Sequence, residues 1–386
     1  MATELLFRKD AYIKEFTGKV LKCEQAKNGF EVILTRTAFY PEGGGQPADT
    51  GFLDSVKVLD VHEKNGEVIH LCEKPLEEGT QVTGTIDWIR RFDHMQHHSA
   101  EHIISGLVHK HYGFDNVGFH MGSIVTVDFN GELTKEQAED IEREANEIVY
   151  AMKVLTEQYP SSEELKKLDY RSKKELTGEV RIVTIPGADV CACCGTHVKN
   201  TGEIGIIKLS APSRYKGGVR MEVLAGRKAL LDYARKDEIN AKLSHLFSAK
   251  PMEIFESAQA RMNEIDNLKL KVKELQSEIF KNLADNYKDE STPLFLEKDL
   301  DGNEIKELCL ALMKKREGVI MIVSPSQNGP SKFCLGIKEG DLRSCSSDML
   351  KALKGKGGGS TNMIQGVISS PVNEAEKLFK KTFEKA

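Results

Sequence analysis

Three patterns predict an α+β protein built from several units: short alternating strands at the start, helices interleaved with strands in the middle, and a heptad-patterned helix before a Gly-rich end. The expected order is a small N-terminal β-barrel domain (1–88), an α+β sandwich (89–235), a coiled-coil-like helical segment (236–290) and a C-terminal α/β Gly-rich domain (291–386). A length of 386 residues is enough for two or three compact bodies. With 40% hydrophobic and 29% charged residues, the chain reads as soluble and globular. A formal net charge of −5 provides no global basic field for nucleic acid, so any RNA contact must come from local patches and shape.

Residues 18–24, 30–40, 56–63, 66–73 and 81–88 are short β-branched or alternating runs separated by turn residues such as Asn65-Gly66 and Glu78-Gly79. Five such strands suggest a small barrel, with Trp88 as the simplest anchor of its last strand. Between Tyr40 and Gly51 lies YPEGGGQPADTG. Three consecutive glycines let the main chain approach a ligand closely, or simply form a flexible hairpin tip. The strand–GxxxxGK[ST]–helix setting of a P-loop is missing, which argues against nucleoside triphosphate binding.

Further along, Arg90 to His111 has helical periodicity and 122–129 reads as a strand. Thr134 to Gln137 forms a capping box that opens a helix with Ala138, Ile141, Ala145, Ile148 and Met152 on its apolar face. Strands are expected at 180–186, 202–210 and 218–226, with a helix from Arg227. Arg220 and Glu222 share one strand face, as an ion pair or an RNA contact. Positions 254, 258, 261, 265, 268, 272, 275 and 279 form a heptad seam broken only by Arg261. That seam could make a homodimer through 254–279 or fold back on 227–249. The tail pairs an amphipathic helix (Ile305, Leu308, Leu312) with strands at 318–326 and 332–339. A helix near 346–354, the Gly-rich 355–366 and a closing helix follow. The glycines there, with Lys351, Lys354 and Lys356, suit a phosphate backbone or a plain turn beside a lysine face.

The chemistry concentrates in two distant stretches, HHSAEH (97–102) and CACCGTH (191–197). His98 and His102 fall four apart, on one face of the expected helix. Cys193 and His197 are four apart in a loop. Two imidazoles from a helix with a thiol and an imidazole from a loop are a set that tetrahedral Zn²⁺ accepts, one ion per chain. The split spacing is not that of a zinc finger. Taken singly, the His pair could be ordinary surface or core histidines, and the Cys run a buried thiol cluster. The eight cysteines do not form a secreted disulfide framework, and no signal peptide or membrane-length apolar run is evident. A cytoplasmic protein with no membrane association is therefore expected.

HSAEH (98–102), CCGTHVKNTGEIG (193–205), FYPEGGGQPADTG (39–51) and KGGVRMEVLAG (216–226) resemble the editing domain of alanyl-tRNA synthetase and its free-standing AlaX-type trans-editing relatives. The resemblance covers residues 5 to 235. GKGGGSTNMIQG (355–366) resembles the Gly-rich motif of the synthetase C-terminal domain, so the long free-standing form fits best, with no room for an aminoacylation domain. The family patterns are close to HTATH and CGGTH; here Ser99, Glu101 and Cys194 depart from them. Cys194 sets an extra thiol beside the expected ligand, and the CxxxH pattern selects Cys193. His94 and His98 also sit four apart, but the family motif selects His98 with His102.

The resemblance implies deacylation of mischarged tRNA(Ala), mainly Ser-tRNA(Ala) and also Gly-tRNA(Ala), by zinc-assisted ester hydrolysis. His98, His102, Cys193 and His197 would hold the metal, with His98, His102 and Thr37 at the reacting centre. Thr37 would contact the seryl hydroxyl. Gly43, Gly44, Gly45 and Gln46 would approach the terminal adenosine or aminoacyl group, although Gln46 could equally brace the loop. His120 falls near a family position for substrate contact. Three strong ligands and one replaceable ligand would leave an open coordination position, whereas four permanent ligands argue for positioning. The rival readings are a non-catalytic zinc-stabilised tRNA-binding module and a metallohydrolase of small esters or amides.

Overall fold

Apolar–polar alternation carries the chain into strands from its first residues. The computed structural model describes residues 3–172, 179–286, 294–296, 300–326 and 329–383, and its fold is α+β. β1 (Glu4–Leu5) and the single turn α1 (Leu6–Lys9) lead into β2 (Glu15–Ala26), β3 (Gly29–Leu34), β4 (Arg36–Thr37), β5 (Gly51–Leu53), β6 (Val56–Lys64), β7 (Glu67–Cys72) and β8 (Gln81–Ile86). Six of these close a barrel in the order β2-β3-β7-β6-β5-β8. Val20, Val32, Leu34, Leu53, Val58 and Val68 pack its interior. The strand beyond the five expected is β5, three residues long and directly after the Gly-rich stretch. Trp88 does not end a strand. Asp87 caps a helix instead, its carboxylate accepting the Arg90 N–H at 3.2 Å, and Trp88 is the first helical residue.

That helix, α2 (Trp88–Tyr112), is followed by β9 (Asn116–Met121), β10 (Val125–Phe129), α3 (Lys135–Tyr150), β11 (Thr156–Gln158), α4 (Ser162–Leu165), β12 (Ile182–Ile185), β13 (Asp189–Ala192), a 3₁₀ turn (Thr201–Ile204), β14 (Ile207–Leu209), β15 (Ser213–Tyr215), β16 (Gly218–Ala225) and α5 (Gly226–Phe247). One sheet runs β14-β16-β10-β9 with β15 against β16, and a second runs β11-β12-β13. From Asp93 to Val108 every residue of α2 is buried, polar ones included. A helix buried all round normally carries apolar side chains, so the imidazoles and carboxylates inside this one need partners.

The capping box at Thr134 and Gln137 forms, and Ala138, Ile141, Ala145 and Ile148 are buried. Met152 does not join their face: it lies beyond the helix end, exposed, with φ 47°. The strand expected at 202–210 begins only at Ile207, because the Asn200 side chain accepts the Gly202 N–H and starts the 3₁₀ turn instead.

Two compact units divide the chain, Met1–Lys242 and Leu243–Ala386. The second holds α6 (Ile254–Asn286), β17 (Leu294–Leu296), α7 (Gly302–Met313), β18 (Val319–Ser324), β19 (Ser331–Ile337), α8 (Arg343–Ala352), β20 (Lys356–Gly359), β21 (Met363–Ile368) and α9 (Val372–Phe383). Its sheet order is β17-β18-β19-β21-β20. The Gly-rich run is thus an edge strand rather than a turn. A Cβ on Gly359 would lie 2.0 Å from the Met363 carbonyl oxygen, so glycine is what allows the β20–β21 pairing to be this close. Along the α6 seam Ile265, Leu268, Val272, Leu275 and Ile279 are exposed. Among the described residues, no helix is long and apolar enough to cross a membrane.

Candidate metal centre

His98 and His102 project from one face of α2 with ring centroids 5.3 Å apart. The loop after β13 brings Cys193 and His197 to them. One donor atom from each of the four residues lies within 4.8 Å of all the others. Nε2 of His98 and Nε2 of His197 each stand 3.4 Å from the Cys193 sulfur. Metal–nitrogen and metal–sulfur lengths of about 2.0 and 2.3 Å give a tetrahedral edge of roughly 3.5 Å, so the spacing fits one small divalent ion.

Each imidazole is held by its far nitrogen. Nδ1 of His98 lies 2.9 Å from Oε1 of Gln46, Nδ1 of His102 lies 2.8 Å from Oδ2 of Asp189, and Nδ1 of His197 lies 3.1 Å from the Ser99 hydroxyl. The Gln46 and Asp189 oxygens can only accept, so they put the proton on Nδ1 of His98 and His102 and turn those Nε2 lone pairs inward, as metal-binding histidines require; the Ser99 hydroxyl, which can donate or accept, holds the His197 ring in place. Burial opposes a thiolate at Cys193, but the three imidazoles around it, those of His98, His197 and His102, outweigh it and hold the thiol well below its ordinary range. Burial pushes the His197 imidazole down to about 3.

The loop itself is braced. Arg181 donates to the carbonyls of Cys193 and Gly195 at 3.1 and 2.7 Å, and Glu157 holds its other edge. His102, Asp189 and Cys191 form a second grouping of metal-ligand types. There, however, the Asp189 carboxylate is engaged by the Arg171 guanidinium at 2.7 and 2.8 Å, and burial pushes the Cys191 thiol up to about 11. The four-residue cage is the better donor set. Cys194 is exposed and, with Arg8, Tyr159 and Arg181, lines a cleft of about 120 Å³ beside Cys193.

The Gly-rich stretch lies against the same cage. Gly43 and Gln46 exchange backbone hydrogen bonds of 3.1 and 2.9 Å, and Gly44 and Gly45 have φ of 59° and 84°. A Cβ on Gly45 would lie 2.7 Å from the Phe119 carbonyl oxygen, and the Phe119 ring is 5.6 Å from that of His98. Gln46 is fully buried. Its oxygen accepts from His98 and from the Thr196 N–H, and its nitrogen donates to the Thr196 hydroxyl at 2.8 Å. This is the bracing arrangement, with one amide N–H left over.

Thr37 is fully buried at the end of β4. His70 must donate Nδ1–H to the Val32 carbonyl (3.0 Å), so its Nε2 accepts the Thr37 hydroxyl proton at 2.8 Å. The Phe39 N–H donates back to the Thr37 oxygen at 3.1 Å. His120 is not brought to the cage. It is exposed, 3.8 Å from Asp128, while its neighbour Phe119 points the other way, toward His98. Arg220 does not pair with Glu222. It forks onto Asp128 at 2.6 and 2.7 Å and lies 3.7 Å over the Tyr215 ring. The residues that sequence spacing missed are Ser99, Asp189, Arg171 and Arg181. Ser99, inside the HSAEH stretch, carried the nearest thing to a signal.

Residues 180–241 match the family model of the threonyl and alanyl tRNA synthetase second additional domain, and residues 8–90 match that of the class II (A) tRNA synthetases. The alanyl-tRNA editing protein AlaX-L of Pyrococcus horikoshii is 30% identical, with 99% of this chain and 98% of that one covered. The chain belongs to the alanyl-tRNA editing protein family. Another relative of this editing protein is alanyl-tRNA editing protein Aarsd1-A of Xenopus laevis, 28% identical over 96% of this chain and 95% of the relative. The alanine–tRNA ligase of Thermococcus kodakarensis is 31% identical over 97% of this chain, which spans 43% of the ligase. The C-Ala domain of Aquifex aeolicus alanyl-tRNA synthetase is 24% identical with a TM-score of 0.21, covering 23% of this chain and 87% of that domain. In the editing protein, Cys193 and His197 fall inside the 180–241 match, while His98 and His102 lie between the two matched segments.

Proposed function

We propose that this editing protein hydrolyses the ester joining a wrong amino acid, serine first and glycine second, to the terminal ribose of tRNA(Ala), with one Zn²⁺ held by His98, His102, Cys193 and His197. The observation that carries this reading is the cage: three imidazoles turned inward by their Nδ1 partners around one thiol. Bound there, zinc would polarise the ester carbonyl and lower the pKa of water toward about 7.

The chain's own residues supply position and selectivity. Gln46, Ser99 and Asp189 fix the rings, so that the inward lone pairs are set before substrate arrives. The Gly43–Gly45 backbone, with no side chains in the way, can approach the ribose or aminoacyl group closely. Removing serine while sparing alanine means reading a hydroxyl, because size alone discriminates by only about 1–3 kcal/mol. Thr37 does this reading. Its proton is committed to His70 and one lone pair to Phe39, so the remaining lone pair is an acceptor for a seryl O–H. The barrel (1–88) and the sandwich (89–235) build the site, 236–290 offers a seam to a second copy, and 291–386 selects the tRNA. The reaction belongs in the cytoplasm, where tRNA is charged.

The test is deacylation by the purified zinc-loaded protein. Ser-tRNA(Ala) should be cleared and Ala-tRNA(Ala) left intact. Binding without hydrolysis would make the protein a binding module, and hydrolysis of small esters alone a general metallohydrolase. His98→Ala should lose both zinc and activity, and full activity in that variant would overturn the site.

A further inference from the structure

His120 and Arg220 stay away from the metal cage, yet the fold brings them to one place. Nε2 of His120 lies 3.8 Å from Oδ2 of Asp128, and the Arg220 guanidinium forks onto the same carboxylate. Asp128 lies over bare Gly118, where a Cβ would stand 2.7 Å from Oδ2. The Tyr215 ring stacks on the guanidinium at 3.7 Å, and the Lys216 ammonium is 5.1 Å from the same ring. Register explains the grouping. Asp128 of β10 pairs with Gly118 of β9 on one side and with Arg220 of β16 on the other, and β15 continues the row beyond β16. Alternation turns Val127, Phe129, Val219 and Met221 into the core, so this row points away from it.

The row is open and locally basic. The His120 side chain is 63% exposed, Lys216 is exposed and Tyr215 is half-buried. Lys216 and Gly217, with φ of 45° and 83°, make the tight turn that joins β15 to β16. From Ser213 to Arg220 this hairpin carries Arg214, Lys216 and Arg220 and no acid. Asp128 neutralises Arg220, while Arg214 and Lys216 have no carboxylate in contact among the described residues. Glu222, exposed two residues beyond Arg220, is a second acid on the face. The hairpin tip is therefore positive in a chain of net charge −5. An accessible aromatic ring braced by a guanidinium, with a free ammonium beside it, suits an unpaired nucleotide: the base stacks on the ring and the cation meets the phosphate.

The face also leads to the cage. β9 is the edge strand of its sheet. His120 stands on its open side, and the adjacent Phe119 lies on the other, its ring 5.6 Å from that of His98. The Gly-rich stretch lies against this strand, since a Cβ on Gly45 would be 2.7 Å from the Phe119 carbonyl oxygen. A chain crossing the open face past His120 has one sheet edge to turn, at Gly43–Gly45, before it meets the cage.

We infer that this face docks the unpaired 3′ end of the RNA just before its aminoacylated nucleotide, with one base stacked on Tyr215 and a phosphate on Lys216. The inference rests on the reading of the substrate as aminoacyl-tRNA. Tyr215 and Lys216 are then positioning residues, because neither touches the reacting ester. Stacking and phosphate contacts carry little base preference, so the face places the strand without choosing it.

The experiment uses the full zinc-loaded chain and an uncharged RNA hairpin ending in an unpaired CCA, with affinity measured over a salt series. Tyr215→Ala should weaken binding about tenfold, the loss of one base stack, and Tyr215→Phe should bind as wild type does. Lys216→Gln should lower the slope of log K against log salt by about 0.7, the value for one single-strand phosphate. In deacylation the Tyr215→Ala loss should fall on KM. An abasic residue in place of one of the two cytosines should weaken wild type as much as Tyr215→Ala does and weaken that variant no further. Unchanged affinity in Tyr215→Ala, with wild type binding and deacylating normally, would overturn the docking face and leave the proposed function standing. Tyr215-dependent binding by a wild type that leaves Ser-tRNA(Ala) intact would keep the face and remove the hydrolytic reading. Altered sedimentation of Tyr215→Ala with unchanged RNA affinity would give the face to a second copy of the chain and overturn the inference. Melting temperatures matching wild type would exclude misfolding as the cause.

Discussion

A methyl group on Gly195 would sit 2.0 Å from Cε1 of His98. Gly195→Ala should therefore displace that ring and lower metal affinity about 10–100-fold, the range typical of lost supporting contacts, in competition with a chelating dye. Asp189→Asn should fall in the same range, because it removes the negative charge and leaves one acceptor oxygen where His102 and Arg171 now share two. Farther from the cage, Arg91 and Asp49 are a fully buried ion pair, and the guanidinium also reaches the Ala11 and Ala38 carbonyls. Asp49→Asn leaves an uncompensated buried charge and should cost about 3–5 kcal/mol in denaturant unfolding. His70 makes a pH prediction. Burial pushes it down to about 4, against about 6.5 in an unfolded chain, so between those values the unfolded state binds the extra proton. Its contribution is complete above pH 6.5 and is lost as the pH falls toward 4, by about 3 kcal/mol. His70→Gln should flatten that part of the stability profile, and an unchanged slope would contradict the neutral relay to Thr37.

At the scale of elements, α2 is the organiser, because it touches the cage, β9, β13, β16 and the start of α5. Gly106 lets it lie against the turn before β13, where a Cβ would be 2.2 Å from the Ala188 carbonyl oxygen. Alanine is normally better than glycine inside a helix by about 0.8–1 kcal/mol. Gly106→Ala should nonetheless lower the melting temperature and speed metal loss, since it pushes Asp189 away from His102. A more stable protein with unchanged metal release would show that the turn yields freely. The seam on α6 is apolar and exposed from Ile265 to Ile279. If a second copy covers it, wild type sediments as a dimer and Leu268→Glu with Leu275→Glu as a monomer, whereas identical sedimentation of the two removes the seam as an interface.

At the scale of the whole molecule, the cage lies entirely in Met1–Lys242 and the Gly-rich edge strand in Leu243–Ala386. A chain ending at Lys242 should keep hydrolysis and lose discrimination between tRNAs, and equal discrimination by the short chain would take tRNA selection away from the tail. The net charge of −5 adds a second expectation. Binding should fall with salt only as steeply as a few local phosphate contacts demand, because no global field assists it.

Spacing along single elements was readable in advance: His98 with His102 on one helix face, Cys193 with His197 in one loop, the capping box at Thr134, and the strand periodicity of the first 86 residues. Each depends only on local geometry, 3.6 residues per helical turn or two per strand repeat. Partners across elements were not readable, because contacts separated by 52 to 98 residues in sequence depend on how the elements pack. Gln46, Ser99 and Asp189 thus acquire their roles only once α2 is enclosed. By the same logic Arg220 finds Asp128 on the adjacent strand rather than Glu222 on its own, and Phe119 rather than His120 faces the cage. The sequence by itself determined which side chains could bind a metal; the tertiary structure decided which nitrogen each presents, because a ring's orientation is set by the atom packed behind it.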